Sequence, residues 1–149
     1  MLTLAQVLSA LDLQYAYFHI PVLQAHRRYL WFMMGQEHFQ FAVLSFGLTS
    51  APGVFTKVLV VVAAHLWMSG VPVFPYLDDW LLKAGSPQAV ITHLQTTANL
   101  LTSLGFTINV PKSHLTPSQS LPFIGAILDT VAAPAQKFCI SHHCQLWVR

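Results

Sequence analysis

The sequence predicts an α+β domain of split βαββαβ topology, the ferredoxin-like arrangement, with a β-hairpin inserted after the first strand. Three observations point there. Apolar runs of strand length end near Asp12 and cover residues 73–77, 80–83 and 106–110. Two long helical segments lie between them, each opened by Ser with Pro in the first turn and closed at a Gly. Finally, Tyr76-Leu77-Asp78-Asp79 sets two adjacent carboxylates inside an apolar stretch, on a chain with five acidic residues. Each charge resists leaving water and each repels the other, so the pair implies something doubly positive beside it.

Each element has its own signal. Residues 3–10 read as a short helix leading into an apolar first strand that reaches Asp12. Residues 29–34 and 38–43, separated by Gly35-Gln36, read as a hairpin. Ser50-Ala51-Pro52 starts a helix that runs to about Met68 and ends at Ser69-Gly70. Its three consecutive valines, Val60, Val61 and Val62, are poor helix formers, which argues for packing on most sides. Strands over 73–77 and 80–83 follow, with Asp78-Asp79 at their junction. Ser86-Pro87 opens a second helix whose Val90, Ile91, Leu94, Ala98, Leu101 and Leu104 form one stripe, and Gly105 closes it. Residues 106–110 form a strand, residues 121–128 another interrupted by Gly125, and no element is expected past Asp129. In this topology the first strand lies beside the central hairpin, so Asp12 meets Asp78 and Asp79 and three of the five acids converge.

Composition narrows the class. A chain of 149 residues suits one domain. Charged residues make up 8% and apolar residues 54%, which fits the inner part of something larger, or a membrane protein. Residues 58–77 carry no Lys, Arg, Asp or Glu, the length of a spanning helix, but Gly70, Pro72 and Pro75 break the run, so no membrane partner is expected. The first ten residues show neither a basic flank nor a cleavage-site pattern. A net charge of +2 identifies no partner, because the seven Lys and Arg are scattered and only Arg27-Arg28 are adjacent. Cys139 and Cys144 make no disulfide framework, so an intracellular, reducing setting is expected. Together with His142 and His143 they are too crowded for the usual zinc spacing.

Oxygen-only ligands with open positions point to magnesium. Three carboxylates around two such ions suit phosphoryl transfer, one ion activating the attacking hydroxyl and the other stabilising the leaving pyrophosphate. The plain alternative for the Asp pair is a hairpin tip. Five ordered blocks decide against it: Leu11-Asp12-Leu13-Gln14-Tyr15-Ala16-Tyr17-Phe18-His19-Ile20-Pro21; Phe46-Gly47-Leu48-Thr49-Ser50-Ala51-Pro52-Gly53-Val54-Phe55-Thr56-Lys57; Tyr76-Leu77-Asp78-Asp79; Leu104-Gly105-Phe106-Thr107-Ile108-Asn109 with Lys112-Ser113; and Phe123-Ile124-Gly125. In this order and spacing, over residues 11–130, the chain resembles the palm of a reverse transcriptase, an RNA-directed DNA polymerase. Within that family it is most similar to DIRS-like and Ngaro-like retrotransposons.

The resemblance implies a role for each matching residue. Asp12 and Asp78 bind both metals, Mg2+ with Mn2+ as an alternative, assisted by the Leu13 carbonyl, and Asp79 completes the cluster. Tyr17 lies beneath the sugar of the incoming nucleotide and excludes a 2′-hydroxyl; the plain alternative is a core aromatic. Phe46 and Gly47 lie near nucleotide and template, where Gly lets backbone approach closely; an ordinary turn glycine is the alternative. Lys112 protonates the departing pyrophosphate, or is simply a solvated lysine after Pro111. Phe123 and Gly125 form the primer grip, or a core strand. Arg27 and Arg28 touch template or nucleotide phosphates, or solvate the segment before the hairpin. The implied partners are an RNA template, a DNA primer and deoxynucleoside triphosphates.

Two positions depart from the family pattern: Tyr15 stands where an acidic residue is usual, and Ser45 where Pro is usual. The expected organisation is a short leader over 1–10 left from a fingers region, the palm over 11–130, and an unassigned tail over 131–149. Fingers, thumb and RNase H regions would come from a parent polyprotein. A palm by itself is expected not to polymerise, because fingers and thumb supply most of the positioning. The alternative is a non-catalytic palm remnant that binds nucleic acid or protein.

Overall fold

The computed structural model describes residues 6–131. In order these form β1 (Val7–Gln14), a 3-10 turn (Ala16–His19), α1 (Gln24–Arg27), β2 (Trp31–Met34), β3 (Glu37–Gln40) and α2 (Ala51–Met68). There follow β4 (Val73–Tyr76), β5 (Asp79–Ala84), α3 (Pro87–Ser103), β6 (Thr107–Ile108), β7 (His114–Ser118), β8 (Ser120–Phe123) and β9 (Ala126–Asp129). The main sheet is antiparallel in the order β4-β5-β1-β6, with β7 also on β1. Set β2–β3 aside as an insertion, and β1, α2, β4, β5, α3 and β6 trace the split βαββαβ arrangement that the sequence predicts.

Both long helices lie on one face of this sheet. α2 presents Ala51, Phe55, Leu59, Val62, Ala63 and Leu66, a helical stripe, to the same core that holds Leu94 and Leu101 of α3. Leu11, Leu13, Val73, Trp80 and Leu82 close that core from the sheet. Three of the four helix ends follow their local signals, whereas Ser50, expected to cap α2, makes no side-chain capping bond. The Ser86 side chain accepts from the Ala89 N–H at the start of α3, and Gly70 and Gly105 turn with φ of 79° and 91° after α2 and α3. α2, with a mean hydropathy of 1.6, is long and apolar enough to cross a membrane by length and composition; here its striped face is core.

Three expectations need correction, and one strand was not anticipated. Residues 7–10 are strand, not the end of a helix, because β5 on one edge of β1 and β7 on the other supply backbone partners that override local propensity. The single strand expected over 121–128 is a hairpin, β8–β9, turned by Ile124 and Gly125, both with positive φ, the requirement of a type I′ turn. β7 is the strand not anticipated: it pairs with β1 although it carries Pro117, a residue disfavoured inside strands. Of the three valines, Val62 is buried while Val60 and Val61 face outward, so α2 packs on one side only. The β2–β3 hairpin is as expected and projects with every strand residue exposed. Residues 1–5 of the expected leader, nearly all of the tail, and Cys139, His142, His143 and Cys144 lie outside the described residues.

Candidate active site

Side chains alternate along a strand, so β1 and β5 each serve two faces. Leu11, Leu13, Trp80 and Leu82 point to the helices. Leu8, Ala10 and Asp12 therefore point the other way, and the register sets Ala10 opposite Leu81 and Asp12 opposite Asp79. At one end of this second face Leu8 and Ala10 are covered by Leu121, Phe123 and Leu128 of the β8–β9 hairpin. At the other end Asp12 and Asp79 are half-exposed.

Asp78 sits in the two-residue turn between Tyr76 and Asp79, and its carbonyl accepts from the Leu13 N–H at 2.9 Å. This bond ties the turn to β1. The turn begins with Leu77 at φ 52°, whereas the comparable turn between β2 and β3 begins with Gly35 at φ 66°. Leu in the left-handed region is strained where Gly is free, and such strain gathers at functional positions.

The acids act on one another. Burial first, then the charges of Asp78 and Asp12, push the Asp79 carboxyl above its ordinary range, against an opposing pull from Lys112. Asp12 is also raised, by burial most of all and by Asp78; a hydrogen bond from the Asn109 side chain and the charge of Lys112 oppose this. Lys112 thus stands close enough to both carboxylates to act on them, although it is itself exposed. Among the described residues, no three His, Cys, Asp or Glu side chains are already drawn together as metal ligands. The acids form an open cluster with oxygen donors and repulsion that Lys112 relieves only in part, a donor set that fits a hard dication retaining several waters.

The other candidates divide into three groups. Tyr17 is half-buried, its ring 4.9 Å from Phe46 and 5.1 Å from Phe55. Its hydroxyl is pushed up by burial, then by the Asp78 charge and by Tyr76, so it belongs to the acidic end of the sheet as well as to the core. Phe46 is 61% exposed and packs edge-on to Phe18, and Gly47 has φ 88° with open space where a Cβ would be. Phe123 lies on the β8–β9 hairpin in the cluster of Leu8, Ala10 and Leu81, on the same face as the acids, and Gly125 lies in the turn of that hairpin. Arg27 and Arg28 are engaged locally: Arg27 Nε donates to the Val22 carbonyl, and Arg28 donates to the Tyr29 hydroxyl. Of the departures, Tyr15 is exposed at φ 54° and Ser45 is buried.

Two residues beside the acids were given no role by the sequence. Asn109 and Ser113 both bond to Asp12, and their four-residue spacing around a loop that also holds Lys112 was the available signal.

Residues 2–128 match the family described as reverse transcriptase (RNA-dependent DNA polymerase). The Gag-Pro-Pol polyprotein of bovine leukemia virus is 33% identical over 129 residues, covering 79% of this chain and 9% of that protein. The genome polyprotein of petunia vein clearing virus is 26% identical over 124 residues, covering 83% of this chain and 6% of that protein. Among solved structures, the foamy viral protease-reverse transcriptase in complex with an RNA/DNA hybrid superposes with a TM-score of 0.74 at 18% identity, over 87% of this chain and 17% of the other. A double-stranded DNA complex of the same kind of enzyme gives 0.77 at 18% identity, over 87% and 22%. At that identity the likeness is one of fold. The chain spans only a small part of each relative it matches.

Proposed function

Because the chain belongs to the reverse transcriptase (RNA-dependent DNA polymerase) family, we propose that it is the palm of a retrotransposon enzyme of DIRS-like or Ngaro-like type. The proposed reaction is template-directed addition of deoxynucleotides to a primer 3′-hydroxyl, in an intracellular setting. The observation that carries this reading is the register Asp12 opposite Asp79, with Asp78 in the adjoining turn and Lys112 within electrostatic reach.

In this reading Asp12, Asp78 and Asp79 would hold Mg2+, or Mn2+ in its place, with the Leu13 carbonyl assisting. When bound, the ions lower the pKa of the attacking hydroxyl and offset charge on the leaving pyrophosphate. Lys112 carries a proton to that pyrophosphate. Tyr17 and Phe46 form an aromatic floor for the nucleotide, and the van der Waals bulk of Tyr17 excludes a 2′-hydroxyl. Gly47 leaves room for the template backbone. Phe123 and Gly125 steady the primer end from the β8–β9 hairpin, which packs on Leu8 and Ala10 of the strand that carries Asp12. An RNA template and a DNA primer are the proposed partners, in keeping with the hybrid bound by the foamy viral relative. Fingers, thumb and RNase H regions of a larger polyprotein are proposed to complete the enzyme.

The 149 residues by themselves are expected to bind an RNA–DNA hybrid without extending it, since alignment of primer and nucleotide accounts for much of the rate. A non-catalytic palm is the second reading, favoured by the exposed Tyr15 at the head of the turn after β1. One experiment addresses both: hybrid binding and primer extension by the purified chain with Mg2+ or Mn2+. The expected result is binding strengthened by the dication, lost in Asp12→Asn, with no extension. Binding indifferent to dication and to Asp12→Asn would overturn the carboxylate centre. Extension abolished by Asp78→Asn would overturn the expected inactivity.

A further inference from the structure

The outer edge of β1 is interrupted at Asp12. β6 pairs with Leu13 and Gln14, β7 pairs with Leu8 and Ala10, and the β7 register shifts between those two contacts. Between β6 and β7 the chain coils through one turn, with the N–H groups of Lys112 and Ser113 both donating to the Asn109 carbonyl. This turn, not a strand, meets Asp12. The Asn109 N–H donates to the Asp12 carbonyl at 2.8 Å, and the Asn109 side chain lies close enough to the Asp12 carboxyl to favour its charged form. The Asp12 N–H donates to Ser113 Oγ at 3.0 Å, and Ser113 Oγ donates in turn to the Asn109 carbonyl at 2.8 Å.

An unbroken strand would satisfy the backbone of Asp12 and leave its carboxylate to rotate. Here the same two residues satisfy the Asp12 N–H and carbonyl, which fixes its backbone from both sides and sets the Asn109 side chain beside its carboxylate. We infer that Asn109 and Ser113 are positioning residues that lock the Asp12 carboxylate in the orientation a divalent cation requires, and that the turn they close brings Lys112 to the same point. The inference rests on the reading of Asp12 as a cation-holding carboxylate.

The chemistry of the two side chains makes the claim specific. Ser113 accepts from one group and donates to another, which a hydroxyl does and a methyl does not. Asn109 supplies an N–H donor, so the carboxylate keeps its remaining lone pairs for a cation. Partners that orient a ligand in this way are commonly worth about 10- to 100-fold in metal affinity.

The test is Mn2+ binding to the purified 149-residue chain, followed by the electron paramagnetic resonance of free Mn2+, with thermal unfolding in EDTA alongside. Asn109→Ala and Ser113→Ala are expected to weaken binding by about 10-fold or more, and Ser113→Thr to restore it. In EDTA Ser113→Thr should unfold near wild type and Ser113→Ala, which leaves the Asp12 N–H without its acceptor, somewhat lower, still as one transition above the temperature of the binding measurement. If Asn109→Ala does not fold, the Ser113→Ala and Ser113→Thr pair decides. Wild-type affinity in both alanine variants, with Asp12→Asn still losing binding, overturns the inference while leaving the carboxylate centre intact. Equal losses in Ser113→Thr and Ser113→Ala overturn it too. Binding absent from wild type, or unchanged in Asp12→Asn, removes the centre and the inference together.

Discussion

The two faces of β1 and β5 come from the same fourteen residues and have opposite character. Toward the helices, Leu11, Leu13, Trp80 and Leu82 are buried and pack into one core with α2 and α3. On the other face Ala10 meets Leu81 under a small hairpin, and one step further Asp12 meets Asp79. Like charges directly opposite across a sheet are destabilising, so the second face weakens the sheet that the first holds together. A period of two makes this division sharp. One strand anchors the fold with its odd residues and presents its chemistry with its even ones, and neither set can drift without the other.

The largest effect should come from breaking the anchoring face. Trp80 is fully buried in the centre of the core, so Trp80→Ala is expected to cost about 3–5 kcal/mol, a large share of a small domain's total stability. The urea midpoint measures it, and a shift of only a few tenths of a kcal/mol would mean that the core relaxes into the cavity. The second face should yield more locally. Leu121 is buried on the β8–β9 hairpin against Leu8 and Ala10, outside the main core. Leu121→Ala is expected to cost about 2–3 kcal/mol, at the lower end for a buried leucine, because the satellite cluster can open alone. Hydrogen exchange should then quicken over residues 120–129 and stay slow in β5. Equal loss of protection in both would show that the two faces form one cooperative unit.

How much of this was legible in the sequence follows the range of the signal. Helix ends were, because Ser86 with Pro87, and Gly70 and Gly105, act on backbone a few residues away. The pairing of Asp12 with Asp79, with Asp78 in the adjoining turn, was legible too, since the alternation of strands and helices leaves few topologies to choose from. The character of residues 7–10 was not, because partners more than seventy residues distant decide it. The β8–β9 hairpin was missed because Ile124, a β-branched residue, occupies a left-handed turn position normally held by Asn or Gly. The bonds of Asn109 and Ser113 to Asp12 escaped for a related reason. They depend on where β6 stops and β7 starts along β1, which is set by pairing with a strand about a hundred residues away and not by the turn's own residues.

The smallest expected effect tests the cost of the acidic face. Asp12 and Asp79 have carboxyl pKa values raised above the ordinary 3.8, through burial first and neighbouring charge second. A carboxyl raised in the native state binds more protons there than in the unfolded chain, so stability falls as pH rises through the window above 3.8. The favourable contribution is complete below that window and lost above it. Asp79→Asn removes one member of the opposed pair and should stabilise the chain at neutral pH by about 0.2–1 kcal/mol, the size of a cross-strand charge effect. Against wild type its stability profile should be flatter across the acidic window, and the two profiles should converge at its lower end. Urea denaturation at a series of pH values reads this directly. Equal slopes for the two proteins would mean that solvent already screens the pair, and that the acids are held apart at no cost to the fold.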